Sequence, residues 1–215
     1  MNALVNTIHA AAEAGHTDEV IRFITQGAGL NEQDALGRTP LMAAVHGNKV
    51  QTVSMLIDAG ADINIQDNRL DNPLLYASAE GLKEIVEMAV AAGADTRLTN
   101  RFGGTALIPA ADRGHVNIVG FLLTCTDVDV NHVNNLGWTA LLEAVILGDG
   151  GPRHQQIVAL LLQYGADREI ADRDGVTPLA HARRNRYTEM ERLLSNSRMK
   201  VPNSILRRER TRIKS

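Results

Sequence analysis

Residues 34–66 read DALGRTPLMAAVHGNKVQTVSMLIDAGADINIQ, and this stretch contains the signals for one complete structural unit. Asp34 and Gly37 favour a tight turn, because Asp bonds to nearby backbone amides and Gly accepts a positive φ. Thr39 can cap a helix with its hydroxyl, and Pro40 suits the first position of that helix, where no amide donor is needed. The first half of the stretch therefore predicts a turn followed by a helix.

The second half of the same stretch predicts another helix and a closing loop. Asn48 stands where the first helix should stop, since Asn tolerates the left-handed conformation nearly as well as Gly. Val53, Leu56 and Ile57 follow at the i, i+3, i+4 spacing of one buried helix face. Gly60 is placed to end this second helix. One unit is therefore a turn, a helix, a second helix and a loop.

The pattern recurs along the chain with a period near 33 residues. Triplets that match Thr39-Pro40-Leu41 are spaced by 33, 33, 34 and 38 residues, and they begin at Thr39, Asn72, Thr105, Thr139 and Thr177. A Gly-Ala pair keeps the same rhythm, at Gly27, Gly60, Gly93 and Gly165. Two independent marks with one period predict a stack of similar helical repeats.

The segments TPLMAA, NPLLYAS, TALIPAADRGH, GWTALLEA and TPLAHA resemble the Thr-Pro-Leu-His-x-Ala signature of the ankyrin-repeat family. The resemblance, which extends to small stand-alone bacterial members, implies an all-α solenoid of about six helix-turn-helix repeats with β-turn or hairpin loops. It predicts one ankyrin-repeat domain over residues 1–195. The expected repeats are about 4–33, 34–66, 67–99, 100–133, 134–171 and 172–195.

Two repeats depart from the pattern. Pro109 falls inside the first helix of repeat 4, where it should remove a hydrogen bond or kink the turn. Repeat 5 carries about five extra residues, within 147–154, between its two helices. This insertion could form a wall or a mobile flap beside Ile146, or it could be a tolerated surface insertion.

The composition indicates a folded protein that resides in a reducing compartment. Hydrophobic residues make up 44% of the chain and aromatic residues only 3%, so the interior should consist of small and aliphatic side chains. Cys125 is the only cysteine, which excludes an intrachain disulfide. The N-terminal sequence lacks the features of a signal peptide, and no apolar run approaches 18 residues. We therefore expect a cytoplasmic protein.

Catalytic and metal-binding patterns are missing from the sequence. None of the seven histidines lies three or four residues from another, so no helix presents a histidine pair for a metal. His46, His132 and His154 are expected at the surface, and His181 is expected to be a partly buried, hydrogen-bonded side chain. The segment from Gly148 lacks the Lys-Ser/Thr of a phosphate-binding loop. We expect no enzyme activity, no cofactor, no metal site and no small-molecule substrate.

The family resemblance implies that a partner protein binds the concave face, where turn tips and first helices are exposed. Carried onto this sequence, the partner-binding positions are Leu36, Arg38, His46, Arg69, Asp71, Arg101, Phe102, Arg113, Leu136, Trp138 and Ile146. The predicted function is a non-catalytic scaffold or regulator, and we expect a monomer.

Trp138 is the only tryptophan and follows a turn glycine, where the side chain is normally exposed. With Phe102, Leu136 and Arg101 it could anchor a partner, because Trp and Arg are frequent interface hot spots. Alternatively, Trp138 folds against its own turn and stabilises it. The sequence favours neither interpretation.

Charge separates the C-terminal tail, residues 196–215, from the rest of the chain. The tail contains seven Lys or Arg residues and one Glu, whereas residues 1–195 contain 15 basic and 24 acidic residues. We expect a flexible tail that solubilises the chain, contacts nucleic acid or an anionic membrane, or docks back onto the acidic body. The alternative function is therefore an adaptor localised by this tail.

Overall fold

The computed structural model describes residues 7–196, which contain twelve α-helices and no strand. The helices form six consecutive pairs, which confirms the all-α class and is consistent with six repeats. The contacts divide the chain into two compact halves, an N-terminal half that ends at Asp95 and a C-terminal half that begins at Thr96. The single domain over residues 1–195 stays a prediction, as do the exact repeat boundaries.

The N-terminal half contains the helix pairs of the first three repeats. These helices are α1 Ile8–Ala14, α2 Thr17–Thr25, α3 Pro40–His46, α4 Val50–Asp58, α5 Pro73–Glu80 and α6 Lys83–Ala91. The first helices α1, α3 and α5 pack side by side, and the second helices α2, α4 and α6 form a parallel row behind them.

The C-terminal half repeats this arrangement with the other three pairs. Its helices are α7 Leu107–Asp112, α8 Val116–Cys125, α9 Ala140–Ile146, α10 Pro152–Gln163, α11 Pro178–Arg184 and α12 Thr188–Ser195. Here α7, α9 and α11 form the row of first helices, while α8, α10 and α12 form the second row.

The same turn precedes the first helix of repeats 2 to 6. In repeat 2 the amide of Asp34 donates to the carbonyl of Arg38, and the amide of Gly37 donates back to the carbonyl of Asp34. Each of these hydrogen bonds has a donor–acceptor distance of 2.9 Å. The Asp34 carboxylate accepts two more amides, from Leu36 and Arg38. Equivalent main-chain pairs close the turns that begin at Asp67, Asn100, Asn134 and Asp172. The turn predicted from Asp34 and Gly37 is confirmed.

The predicted caps begin and end the helices as expected. In five repeats a side-chain oxygen accepts the amide three residues later, in the pairs Thr7 to Ala10 (3.1 Å), Thr39 to Met42 (3.1 Å), Asn72 to Leu75 (2.9 Å), Thr139 to Leu142 (3.2 Å) and Thr177 to Ala180 (3.3 Å). Asn48 ends the first helix of repeat 2 with a φ of 51°, and Gly81 and Gly114 follow the first helices of repeats 3 and 4 with φ of 77° and 75°. These bonds satisfy backbone groups that a helix end leaves without partners.

The interior consists of aliphatic side chains and alanines, as the low aromatic content predicts. Leu41 and Leu74 are fully buried in the N-terminal half, and Leu107 and Leu141 take the equivalent places in the C-terminal half. Burial of one such side chain contributes about 2 kcal/mol. Small residues such as Ala44 let neighbouring helices approach closely.

Repeat 4 is irregular at the predicted place. Its first helix begins at Leu107, one residue later than the pattern of its neighbours, and it has no side-chain cap. The amide of Ile108 donates to the backbone carbonyl of Thr105 and not to the Thr105 hydroxyl. That hydroxyl is buried without a hydrogen-bond partner. Pro109 has no amide to donate to the same carbonyl, which accounts for the lost regular turn.

Between residues 7 and 196 no helix has the length and apolar character needed to cross a membrane. The predicted basic tail lies almost entirely in residues 197–215, outside the described residues. Its flexibility and its contacts with nucleic acid, membrane or the rest of the chain therefore stay predictions.

Candidate functional site

Exposed apolar side chains concentrate at the turn tips, which we define as residues 35–37, 68–70, 101–103, 135–137 and 173–175. Among the described residues, seven large hydrophobic side chains are exposed, and four of them lie at turn tips: Leu36, Leu70, Phe102 and Leu136. A fifth, Leu147, follows the last residue of α9. The turn tips are therefore unusually apolar for loops in contact with solvent.

Within each half, main-chain hydrogen bonds tie neighbouring turn tips together. In the N-terminal half the Asn68 amide donates to the carbonyl of Leu36 over 3.0 Å, and the Asn68 side chain donates to Ala35 over 3.1 Å. In the C-terminal half the Asn135 amide donates to the carbonyl of Phe102 over 2.9 Å. The exposed side chains are therefore held on an ordered backbone.

Arg38 is fixed by two acids in the N-terminal half. Its guanidinium lies 2.8 Å from Asp34 and 3.2 Å from Glu13, and most of the side chain is buried. Burial opposes the charge, but the hydrogen bonds to Asp34 and Glu13 outweigh it and raise the pKa of Arg38. Arg38 is thus preorganised, with part of its hydrogen-bonding capacity already used.

His46 was expected at the surface, but it is half-buried. Its ring stacks on Tyr76 with a centroid distance of 3.9 Å, and its Nε2 atom is buried without a hydrogen-bond partner. Burial and the nearby charge of Arg38 lower the pKa of His46, so the ring is neutral at pH 7. This stacking could not be predicted from the pattern of one repeat, because Tyr76 lies in the next repeat.

The remaining predicted positions of the N-terminal half lie on the turn of repeat 3. Arg69 is exposed, and the carbonyl of Asp71 accepts the amide of Asp67 over 2.8 Å to close the turn. Leu70 follows Arg69 with a φ of 59°, whereas the other four turns all have a glycine with positive φ at the same place: Gly37, Gly103, Gly137 and Gly175. An exposed leucine held in this strained conformation is a feature the sequence reasoning missed.

In the C-terminal half, Arg101 and Phe102 are both exposed and in contact. The guanidinium carbon of Arg101 lies 4.5 Å from the centre of the Phe102 ring, a cation–π geometry. Leu136 is exposed on the next turn tip, and Arg113 is exposed after the end of α7. Ile146, at the end of α9, is half-buried.

Trp138 is half-buried, whereas full exposure is normal at its position. Its amide donates to the side-chain oxygen of Asn134 over 3.0 Å, which anchors the backbone at the start of repeat 5. The residue is therefore neither fully exposed nor fully buried. Its role, as an anchor for a partner or as a contact that stabilises its own turn, stays a prediction.

Glu143 on α9 is a buried carboxyl group that the sequence reasoning missed. It is only 7% exposed, and its Oε1 accepts a hydrogen bond of 2.7 Å from the side-chain amide of Asn134. Burial, followed by the negative charge of Asp112 on α7, raises the pKa of Glu143 to about 7. Burial also raises the pKa of Asp112. A glutamate within the apolar run TALLEA was the available signal.

His181 occupies in repeat 6 the place that Glu143 occupies in repeat 5. Its Nε2 lies 2.7 Å from the carboxylate of Asp172, the residue equivalent to Asn134. The prediction of a partly buried, hydrogen-bonded histidine is confirmed. Hydrogen bonds from the amide of Val176 and from His181 lower the pKa of Asp172, which identifies it as a turn acid.

The insertion of repeat 5 is shorter as a loop than predicted, because α10 begins at Pro152. The expectation that His154 lies at the surface is wrong, since its side chain is buried. Its Nδ1 lies 2.9 Å from Asp149 Oδ1 and its Nε2 lies 2.9 Å from the carbonyl oxygen of Asp112. These contacts favour a wall over a mobile flap.

No group of three or more His, Cys, Asp or Glu side chains among residues 7–196 is arranged to hold a metal ion. Thr96 donates to Asp127 of the next repeat at 2.8 Å, and Asp129 accepts the amide of Asn131, so the first acid joins two repeats and the second supports a local turn. The side chains at the turn tips and first helices can supply apolar, aromatic and charged contacts, which suits binding.

Comparison with known proteins agrees with these features. A family model for ankyrin repeats in three copies matches residues 8–100 and again residues 74–170. The chain is 49% identical to the ankyrin repeat protein YahD of Escherichia coli K12 over 94 residues, or 44% of this chain and 47% of YahD. The match thus spans about half the length of that curated relative.

Two solved structures resemble most of the chain. An ankyrin repeat domain from Acinetobacter baumannii AYE is 51% identical with a TM-score of 0.84, and the match covers 87% of this chain and 95% of that one. The ankyrin repeat protein EF0377 is 39% identical, also with a TM-score of 0.84, over 91% of this chain and 99% of that one. The chain therefore belongs to the ankyrin repeat family, whose repeats are protein–protein interaction modules.

Proposed function

We propose that this protein is a non-catalytic scaffold or regulator that holds one partner protein on its turn tips and first helices, the concave face expected from the family. The observation that carries the proposal is the placement of exposed apolar side chains. Of the seven among the described residues, Leu36, Leu70, Phe102 and Leu136 lie at turn tips, and Leu147 directly follows the first helix α9. Only Ile21 and Val133 lie elsewhere.

Exposed apolar groups on an ordered backbone favour a protein partner. Apolar surface gains about 25 cal/mol for each Å² removed from water, so a partner that covers these side chains gains binding free energy. The ordered turns reduce the conformational entropy that binding would otherwise cost. Arg101 supplies a charged group beside Phe102, and Arg is frequent in interface hot spots.

The C-terminal half offers the sharpest test, because Phe102 and Leu136 are exposed on turn tips joined by the Asn135 amide. A double variant, Phe102→Ala with Leu136→Ala, removes both side chains without touching a buried contact of the core. The wild-type chain and the variant are immobilised and used to capture proteins from the source cell. Quantitative mass spectrometry then compares the bound proteins.

The matched control is Ile21→Ala, which removes an equally exposed apolar side chain from the second helix α2. We expect one protein to be enriched on both the wild type and the control and to be lost from the double variant. Thermal unfolding should show that all three chains stay folded. Equal capture by the wild type and the double variant would contradict the proposed surface.

A cytoplasmic location and a monomeric state stay parts of this proposal. The wild-type chain should elute at the size of one chain, and its complex with the captured protein should elute earlier. A stable dimer of this chain that hides Phe102 and Leu136 would assign the apolar turn tips to self-association instead.

A further inference from the structure

We propose that Glu143 and Asp112 form a receptor for one arginine or lysine side chain of the partner protein. The inference rests on the proposed function and names the chemistry of the residue that this surface recognises. It is carried by a nearly buried carboxylate with one open oxygen atom, on a first helix that the only tryptophan precedes and an exposed leucine follows in the chain.

Glu143 reaches solvent through its carboxyl group. The side chain is 7% exposed, and Asn134 occupies its Oε1 atom. The Oε2 atom has no hydrogen-bond partner among residues 7–196. It is also not among the fully buried side-chain atoms that lack a partner, so it has contact with solvent. The small exposed part of Glu143 therefore includes an unused carboxylate oxygen. Ile146 and Leu147 lie three and four residues further along the same helix face.

Asn134 cannot turn to offer Glu143 a different group. Its side-chain oxygen accepts the amides of Leu136 and Trp138, over 2.9 Å and 3.0 Å. The amide nitrogen must therefore point toward Glu143, where it donates over 2.7 Å. One asparagine thus holds both the carboxyl group and the backbone of Trp138, and these two residues keep a fixed relation.

None of the groups that shift the pKa of Glu143 carries a positive charge. Burial and the charge of Asp112 both disfavour its ionised form, and only the neutral amide of Asn134 favours it. Arg113, His154 and His115 act on Asp112, but burial outweighs them there. A buried carboxylate without a positive partner is costly, and a cation placed beside it relieves that cost.

A guanidinium or ammonium group satisfies this site better than a metal ion does. No third acidic or histidine ligand converges on Glu143 and Asp112 among the described residues. A guanidinium donates several directed hydrogen bonds to carboxylates, and its flat face also packs on an aromatic ring such as that of Trp138. Leu136 and Leu147, which precede and follow Glu143 in the chain, are exposed and offer apolar neighbours for a basic residue.

Binding of a cation should release a proton. Because the pKa of free Glu143 is about 7, the group is mostly protonated at pH 6 and mostly ionised at pH 8. Only the ionised form attracts the cation, so apparent affinity scales with the ionised fraction. Binding should therefore be about tenfold tighter at pH 8 than at pH 6.

The test titrates the full-length chain with N-acetyl-argininamide and with N-acetyl-citrullinamide, a neutral molecule of nearly the same shape. Trp138 is the only tryptophan, and Asn134 bonds both to its backbone and to Glu143, so its fluorescence and its indole NMR signal serve as reporters for this site. We expect a saturable response to argininamide that strengthens from pH 6 to pH 8, and none to citrullinamide. Equal responses to both molecules, or no response to argininamide at pH 8, would overturn the proposal.

Glu143→Gln should abolish both the response and its pH dependence, while Glu169→Gln, which removes an exposed acid from the same half, should change neither. A Glu143→Gln chain that responds like the wild type would also overturn the receptor. The small probes do not require the partner protein. A negative argininamide titration would therefore not contradict the capture experiment on Phe102 and Leu136. A negative capture experiment would likewise not change how the titration is interpreted.

Discussion

The hydroxyl of Tyr187 in repeat 6 donates a hydrogen bond of 3.0 Å to the carbonyl oxygen of Gly148 in the insertion of repeat 5. Gly148 is buried, and the Gln155 side chain donates to the neighbouring carbonyl of Gly150 over 2.8 Å. His154 ties the same segment to Asp112 of repeat 4. The insertion is therefore fastened to the repeats on both of its sides.

Tyr187→Phe should loosen the insertion without removing the ring. The buried carbonyl of Gly148 loses its donor, so the free energy of unfolding should fall by about 1 kcal/mol. Amide hydrogens of residues 148–151 should exchange faster, whereas those of α1 should not change. Urea unfolding and hydrogen exchange measure both effects. Unchanged exchange at residues 148–151 would show that the hydroxyl does not hold the loop.

Gly150→Ala and Gly175→Ala form a matched pair that isolates the packing of Tyr187. Both glycines have a positive φ, 70° and 75°, so alanine strains each backbone by about 1 kcal/mol. A methyl group on Gly150 would collide with the Tyr187 ring, whereas Gly175 has nothing within 4 Å. Gly150→Ala should therefore destabilise by about 1–3 kcal/mol more. Equal losses in thermal unfolding would contradict this packing.

Much of the fold could be predicted because its signals are local. The turn from Asp34 to Gly37, the Thr39 cap and the left-handed Asn48 each depend on residues a few positions apart. Pro109 likewise marked the irregular helix of repeat 4, since a missing amide acts within one turn. A repeat period then multiplies each local signal along the chain.

The missed features depend on partners far along the chain. His154 was expected at the surface because its acceptor, the carbonyl of Asp112, lies 42 residues earlier. Glu143 was passed over because its burial and its raised pKa need Asp112 from the preceding repeat. Stacking of His46 on Tyr76 also joins two repeats. The repeat pattern describes one repeat at a time, so it could not predict side-chain contacts between neighbouring repeats.

Asn72→Thr should stabilise the protein. Asn72 is fully buried and caps α5 through its side-chain oxygen, but its amide nitrogen has no partner. Thr39 and Thr139 make the same cap with a hydroxyl, which has one donor where the asparagine amide has two. Removal of a buried, unpaired donor should raise the free energy of unfolding by about 1 kcal/mol. The reverse change, Thr139→Asn, should lower it, and urea titrations of both variants check the signs.

Glu143→Gln should stabilise the chain increasingly as pH rises. The pKa of Glu143 is about 7 in the folded state against 4.5 as the ordinary value, so the folded state binds more protons between these values. Wild-type stability therefore falls from pH 4.5 to 7, and the full penalty, roughly 3 kcal/mol at most, is present above pH 7. Glutamine keeps the acceptor for Asn134 and carries no charge. Urea unfolding of both chains at pH 5 and pH 8 should show a difference that grows with pH, while Glu169→Gln shows none. A difference that stays constant would mean that Glu143 ionises freely in the folded protein.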